Sequence, residues 1–129
     1  MNKILVEISV GELLDRISIL EIKKEKISNS DSIKFIEKEY LILKEQLNKN
    51  IKYDKKLEEF FNNLKKTNLK LWSIENDKRM CEKNSDFGEK FIALSREIHF
   101  LNDNRSKVKL EINKYTGSQI REIKQYTNY

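Results

Sequence analysis

The sequence predicts an all-α fold, a helical bundle of two antiparallel helix hairpins, the second long and coiled-coil-like. Three observations carry this. Proline is absent and glycine occurs only 3 times in 129 residues, a composition that argues against loop-rich sandwiches and barrels. Apolar residues recur at steps of three and four along most of the chain, the period of a helix with one buried face. Turn and cap residues at Ser9, Asn29 to Asp31, Asp54 and Lys83 to Asp86 divide the pattern into four segments. At this length a second independent core is not expected. Residues 1–129 are therefore read as a single helical domain, with helices about 10–28, 32–49, 55–83 and 87–116 and a polar tail over 118–129.

The first residues, Lys3 to Ile8, are β-branched and apolar enough for a short extended segment. Ser9 and Glu12 have the spacing of a capping box, and Ile8 and Leu13 that of a hydrophobic staple. The first helix then places Val10, Leu13, Ile17, Leu20 and Ile27 on one face, while Ile19 and Ile22 lie on the opposite side. A helix apolar on two sides is expected to touch two partners.

Asn29-Ser30-Asp31 forms a turn and cap cluster before Ile33, Ile36, Tyr40, Leu43 and Leu47. Asp54 can cap the third helix, whose stripe includes Leu57, Phe60, Phe61, Leu64, Leu71, Trp72 and Ile74. After the break at residues 83–86, Asp86 with Glu89 offers a second capping box. The fourth helix carries the most regular seam, Phe87, Phe91, Leu94, Ile98, Leu101, Arg105, Val108, Ile112 and Tyr115, with Arg105 its one polar member. Gly117 is a natural left-handed stop. Of the two expected hairpins the first is the shorter, so it leaves a terminal apolar strip on the second that dimerisation could bury.

Disulfides need two cysteines, and Cys81 is the only one, which fits a reducing cytoplasm. The longest apolar run, Tyr40 to Leu43, is far short of the roughly 20 residues of a membrane helix or the ~7–15 of a signal-peptide core. No membrane span is expected, and no export by that route. The net charge of +5 is uneven: residues 1–64 carry 12 basic and 12 acidic side chains, residues 65–129 carry 14 and 9. A basic C-terminal part can attract an anionic group or an acidic partner, but it lacks the clustered aromatic and basic face that favours nucleic acid. Because lysine is the default cation here, the five arginines, Arg16, Arg79, Arg96, Arg105 and Arg121, point to places where a planar fork is wanted.

Taking Leu57 as zero and about 100° per residue, Asn68 falls near 20°, Glu75 near 0° and Arg79 near 40°, all on the apolar face of the third helix. Arg105 lies in the facing stripe, with Asn102 one turn earlier on its flank. In an antiparallel pair turning near Ser85, Asn68 comes level with Asn102, and Arg105 with the turn from Lys65 to Asn68. An unpaired charge on such a face is costly, so Glu75 is expected to accept from Arg79 and from Arg96. Three readings follow. The cluster sets helix register and oligomer state, or it forms a ligand site between facing helices, or it performs acid–base chemistry with Glu75 beside Asp103 or Glu12. One His and one Cys cannot make a zinc site without several carboxylates, and no phosphate loop, nucleophile elbow or dinucleotide fingerprint is present. No metal or cofactor is expected. Trp72, on the stripe, reads as a packing residue.

The segments Val6 to Lys23, Asn68 to Glu75 with Arg79, Asp86-Phe-Gly88, Phe91 to Arg96, Asn102-Asp-Asn-Arg105 and Gly117-Ser118 with the tyrosine-rich end resemble an uncharacterised family of small helical bacterial and phage proteins, a domain of unknown function. The resemblance covers nearly the whole chain. Its motif positions fall at Gly11, Glu12, Asp15, Asn68, Trp72, Glu75, Arg79, Arg96, Asn102, Asp103 and Arg105; near the end, Ile123-Lys-Gln-Tyr126 departs from the family's usual acidic pair before lysine. Members are often encoded near glycosyltransferase or surface-polysaccharide genes, so the resemblance implies a role in cell-envelope glycan assembly. The expected function is a non-catalytic interaction or accessory module, as a homodimer with a protein partner in glycan assembly. The alternative is a small-molecule or sugar-nucleotide binding protein or enzyme, holding a small anionic ligand through Arg79, Arg96 and Arg105.

Overall fold

The computed structural model describes residues 2–129, in four helices: α1 (Val10–Lys26), α2 (Ser30–Asn50), α3 (Lys55–Lys83) and α4 (Glu89–Thr116). The fold is all-α, with no strand among the described residues; Ile4, Leu5 and Val6 are 88%, 90% and 71% exposed on a non-helical lead-in. Local chemistry sets most helix ends. Ser9 Oγ accepts the Glu12 amide at 3.1 Å, Asn29 Oδ1 the Ser32 amide at 3.0 Å, and Asp54 Oδ1 the Leu57 amide at 2.8 Å, each side chain satisfying a donor the helix cannot. Gly117 ends α4 at φ 71°, and the Ser118 amide returns to the Asn113 carbonyl, a closure that needs the left-handed region.

The expected cap at Asp86 is not formed. The helix cap is Gly88, without a side-chain acceptor, and α4 begins at Glu89. Ser85 takes a left-handed φ of 52° and the Asp86 amide donates to the Cys81 carbonyl at 2.8 Å. Asp86 is thereby committed to ending α3, and its Oδ1 closes a tight turn on the Gly88 amide at 3.2 Å. The capping box at Ser9 is half made, because Glu12 does not return to the Ser9 amide but reaches Arg16 and Lys109.

Helix α1 packs against each of the other three helices, whereas α2 packs against α1 alone. Hence α1 is buried nearly all round, from Gly11 to Ile22, while α2 has Leu47 as its one buried residue. Contacts between Lys78 and Phe91, Thr67 and Asn104, and Asp54 and Tyr115 show α3 and α4 running in opposite directions. The core gathers at one end: Leu13, Leu14 and Ile17 of α1 meet Leu57, Phe61 and Leu64 of α3 and Val108 and Ile112 of α4. Burial fades along the α4 seam away from that end. Ile112 is fully buried, Leu101 and Leu94 are half-buried, and Phe87 is 52% exposed.

Candidate functional site

The polar residues of the fold concentrate where α1 meets α4. On α1, Gly11, Asp15, Ser18 and Ile22 follow steps of four, three and four; on α4, Asn102, Arg105, Lys109 and Asn113 follow three, four and four. Such spacings place each set along one face of its helix. The two faces meet end to end, with Gly11 against Asn113 and Asp15 against Arg105. The Gly11 amide donates to Asn113 Oδ1 at 2.7 Å, and a Cβ on Gly11 would lie 2.5 Å from the Lys109 carbonyl oxygen. The glycine is therefore required by close approach of the helices, not by a turn.

Asp15, 1% exposed, is the centre of the network. Arg105 grips its carboxylate with two prongs: Nε donates at 2.9 Å to Oδ1, and Nη2 donates to Oδ2. Asn68 Nδ2 donates to Asp15 Oδ1 and to Ser18 Oγ, each at 2.9 Å, while the Ser18 hydroxyl donates to the Asp15 carbonyl at 2.7 Å. The hydrogen bond to Asp15 holds the Arg105 guanidinium above its ordinary pKa. Beside this pair, Lys109 Nζ donates at 2.7 Å to both Glu12 and Glu122 and lies 3.9 Å from Asp15. Burial alone would lower the Lys109 pKa and raise that of Glu12; their mutual pairing overrides it, so Lys109 is raised and Glu12 lowered.

Arg105 separates two open clefts. The first, of about 440 Å³, has Glu12, Lys109 and Glu122 on its wall together with Arg121 and Lys124 of the tail. The second, of about 290 Å³, lies between α1, α3 and α4, with Ile19, Ile22, Leu71 and Trp72 on its apolar side and Asn68, Glu75, Asn102 and Arg105 on its polar side. Asn102 borders both.

Of the residues singled out from the sequence, Asp15, Asn68 and Arg105 are bonded together, Glu12 joins through Lys109, and Trp72, Glu75 and Asn102 border the second cleft. Arg79, Arg96 and Asp103 do not join them. Arg79 and Arg96 are exposed, Arg96 lying 6.0 Å from the Phe100 ring, and Asp103 accepts from the Tyr129 hydroxyl. Glu75 is exposed and makes no ion pair with Arg79 or Arg96 among the described residues. Its angular position on α3 matches the apolar stripe, but α1 packs on the other end of α3, so no cover forces a partner on it. The Arg105 guanidinium turns toward α1 and Asp15, not toward Glu75 or the turn from Lys65 to Asn68.

The carboxylates proposed to work with Glu75 stand apart from it: Glu12 faces the first cleft with Lys109, and Asp103 holds Tyr129. No pair for acid–base chemistry is assembled there. Among the described residues no group of three or more His, Cys, Asp or Glu side chains is placed to hold a metal ion. Ser18, Lys109, Asn113 and Glu122 are members that sequence reasoning missed. The signal for the first three was the polar line beside each apolar stripe, which only becomes a site once α1 and α4 are known to face each other. Glu122 lies in the non-helical tail and carried no such signal. A family model described as a family of unknown function (DUF6165) matches residues 4–129. No curated protein and no solved structure matches the chain.

Proposed function

The chain belongs to this family of unknown function, and from its geometry we propose that it is a non-catalytic interaction module that works as a homodimer. The observation that supports the reading is the uncovered half of α3 and α4. Past the end of α1 no further helix packs on these two; Tyr129 of the tail rests on His99 and Phe100, and Met80, Phe87, Ile92 and Phe100 are 45%, 52%, 55% and 43% exposed. A folded monomer of this mass exposes about 7,200 Å², against 9654 Å² for this chain. The difference, which the exposed lead-in and tail share with α3 and α4, exceeds the ~800 Å² that each partner of a standard interface buries.

Charge favours a second copy as the occupant. The chain carries +5 overall, yet residues 72–83 hold 3 basic and 3 acidic side chains and residues 89–101 hold 2 and 2. Two copies meeting through these halves avoid the repulsion that a contact through the basic end would impose. In this reading α3 and α4 form a coiled-coil-like hairpin, α1 and α2 a shorter one, and the dimer completes the bundle that the short hairpin leaves open. Cytoplasmic residence and an accessory part in envelope glycan assembly, through a further protein partner, complete the proposal; the single buried Cys81 supports the first and the family resemblance the second.

Light scattering coupled to size exclusion tests it. The wild type elutes as a dimer at micromolar concentration, and Phe87→Glu or Ile92→Glu converts it to a monomer with unchanged helical circular dichroism. A monomeric wild type at those concentrations overturns the reading.

A further inference from the structure

We propose that the second cleft, between α1, α3 and α4, is a binding site for one small, neutral, hydroxyl-rich molecule with an apolar face. The inference does not use the dimer as a premise, although Trp72 and Glu75 of the cleft stand at the near edge of the segment assigned to it. It begins with Asn68, 6% exposed on α3. A carboxylate can only accept, so the amide nitrogen must face Asp15, and the same nitrogen also serves Ser18, whose own proton is given to the Asp15 carbonyl. The amide oxygen of Asn68 is left without a partner. Every fully buried side-chain nitrogen or oxygen among the described residues has one, so this oxygen is open to solvent, and Asn68 is among the residues that line the cleft. An acceptor on a side chain more than nine-tenths buried, beside this cleft and without a protein partner, is met by solvent or by a ligand.

The remaining groups narrow the chemistry. Arg105 spends Nε and Nη2 on Asp15 and keeps Nη1 free, its side chain 28% exposed. Glu75 supplies an acceptor without an ion pair, and the Asn102 amide supplies a donor and an acceptor without a protein partner. The cleft thus offers donors and acceptors together. The Arg105 charge is already balanced by Asp15, and Glu75 adds a negative charge to the same space, so an anion is disfavoured. One carboxylate in a cleft that a guanidinium also lines is a poor seat for a cation as well. Hydroxyl groups, which donate and accept at once, use both kinds of group, and the Trp72 ring with Ile22 and Leu71 offers an apolar wall for C–H surfaces. At about 290 Å³ the cleft lies at the lower edge of the range for drug-sized ligands, which limits the occupant to about one ring.

Trp72 is the only tryptophan beside five tyrosines, so fluorescence of the intact protein excited at wavelengths the tyrosines do not absorb reports on the Trp72 wall of this cleft. The probes are methyl β-D-glucopyranoside, methyl β-D-galactopyranoside and myo-inositol, with inorganic phosphate as the counter-probe. We expect at least one polyol to give a saturable change with a millimolar dissociation constant, the range open to so small a ligand. Glu75→Ala and Asn102→Ala, each at a position not fully buried, should weaken it by about tenfold or more through a lost hydrogen bond. Arg96→Ala, outside the cleft, should leave it unchanged. Thermal melts of the variants confirm that the fold is retained. Three results overturn the proposal: no saturable response to any polyol up to about 100 mM, a response that both cleft substitutions leave intact, or saturation by phosphate alone.

Discussion

Asp15 of α1 and Arg105 of α4, 90 residues apart in the chain, form a two-pronged ion pair whose carboxylate is 1% exposed and whose guanidinium side chain is 28% exposed. The pair fixes the rotation of α1 over α4, because the carboxylate, the fork and Asn68 meet in one geometry. It also fixes which face of Arg105 remains open to the two clefts.

Removing one partner should cost far more than removing both. Arg105→Met leaves the Asp15 carboxylate buried with Asn68 as its side-chain hydrogen-bond donor and Lys109 3.9 Å away, and a loss of about 3 kcal/mol is expected. Arg105→Met with Asp15→Leu removes the buried charge altogether and should recover most of that loss. Urea denaturation of the two variants checks this. Equal losses would mean that the pair is not what holds α1 in place.

Gly11→Ala is expected to destabilise the protein although alanine is the better helix former by about 0.5–1 kcal/mol. The new methyl would meet the Lys109 carbonyl oxygen at 2.5 Å and Asn113 Oδ1 at 2.8 Å, and the first of these is backbone that cannot swing away. A net loss of about 1–3 kcal/mol follows from overpacking, with the Gly11 to Asn113 hydrogen bond weakened. A variant that melts at or above the wild-type temperature would contradict the close approach of α1 to α4.

The network around Lys109 predicts an acid limb in stability. The Glu12 carboxyl lies below its ordinary value because Lys109 and Arg16 outweigh the effect of burial. A group whose pKa is lower in the folded state contributes its stability above the unfolded value and loses it as pH falls through the folded one. The loss therefore begins near the ordinary carboxyl value of 4.5 and completes below it. Melting temperatures of Glu12→Gln measured from about pH 7 to about pH 3 should fall less steeply than those of the wild type. Parallel curves would show that Glu12 does not hold Lys109 in solution.

The sequence made the local structure legible. Ser9, Asn29 and Asp54 cap helices because a side-chain oxygen three residues before a free amide needs no information from the rest of the chain. Asp86 was misread as a cap because the same side chain can also close a tight turn, and the left-handed Ser85 selects that use. Arg105 was legible as the one polar residue in an apolar seam. Its partner was not, because Asp15 and Arg105 are brought together only by how α1 lies across α4. Glu75 shows the converse: its place on the wheel is that of a core residue, but the wheel does not say where α1 ends.

By itself, the sequence determined the four helices, the all-α class and the presence of polar residues among the apolar stripes, all consequences of period, composition and short-range hydrogen bonding. The tertiary structure alone decided that Asp15 takes Arg105, that Lys109 bridges Glu12 and Glu122, and that no other helix covers the far half of α3 and α4. Those outcomes depend on which faces meet and how far each helix extends over its neighbour. Such long-range relations are set by the balance of packing over the whole chain, and no residue's own spacing records them.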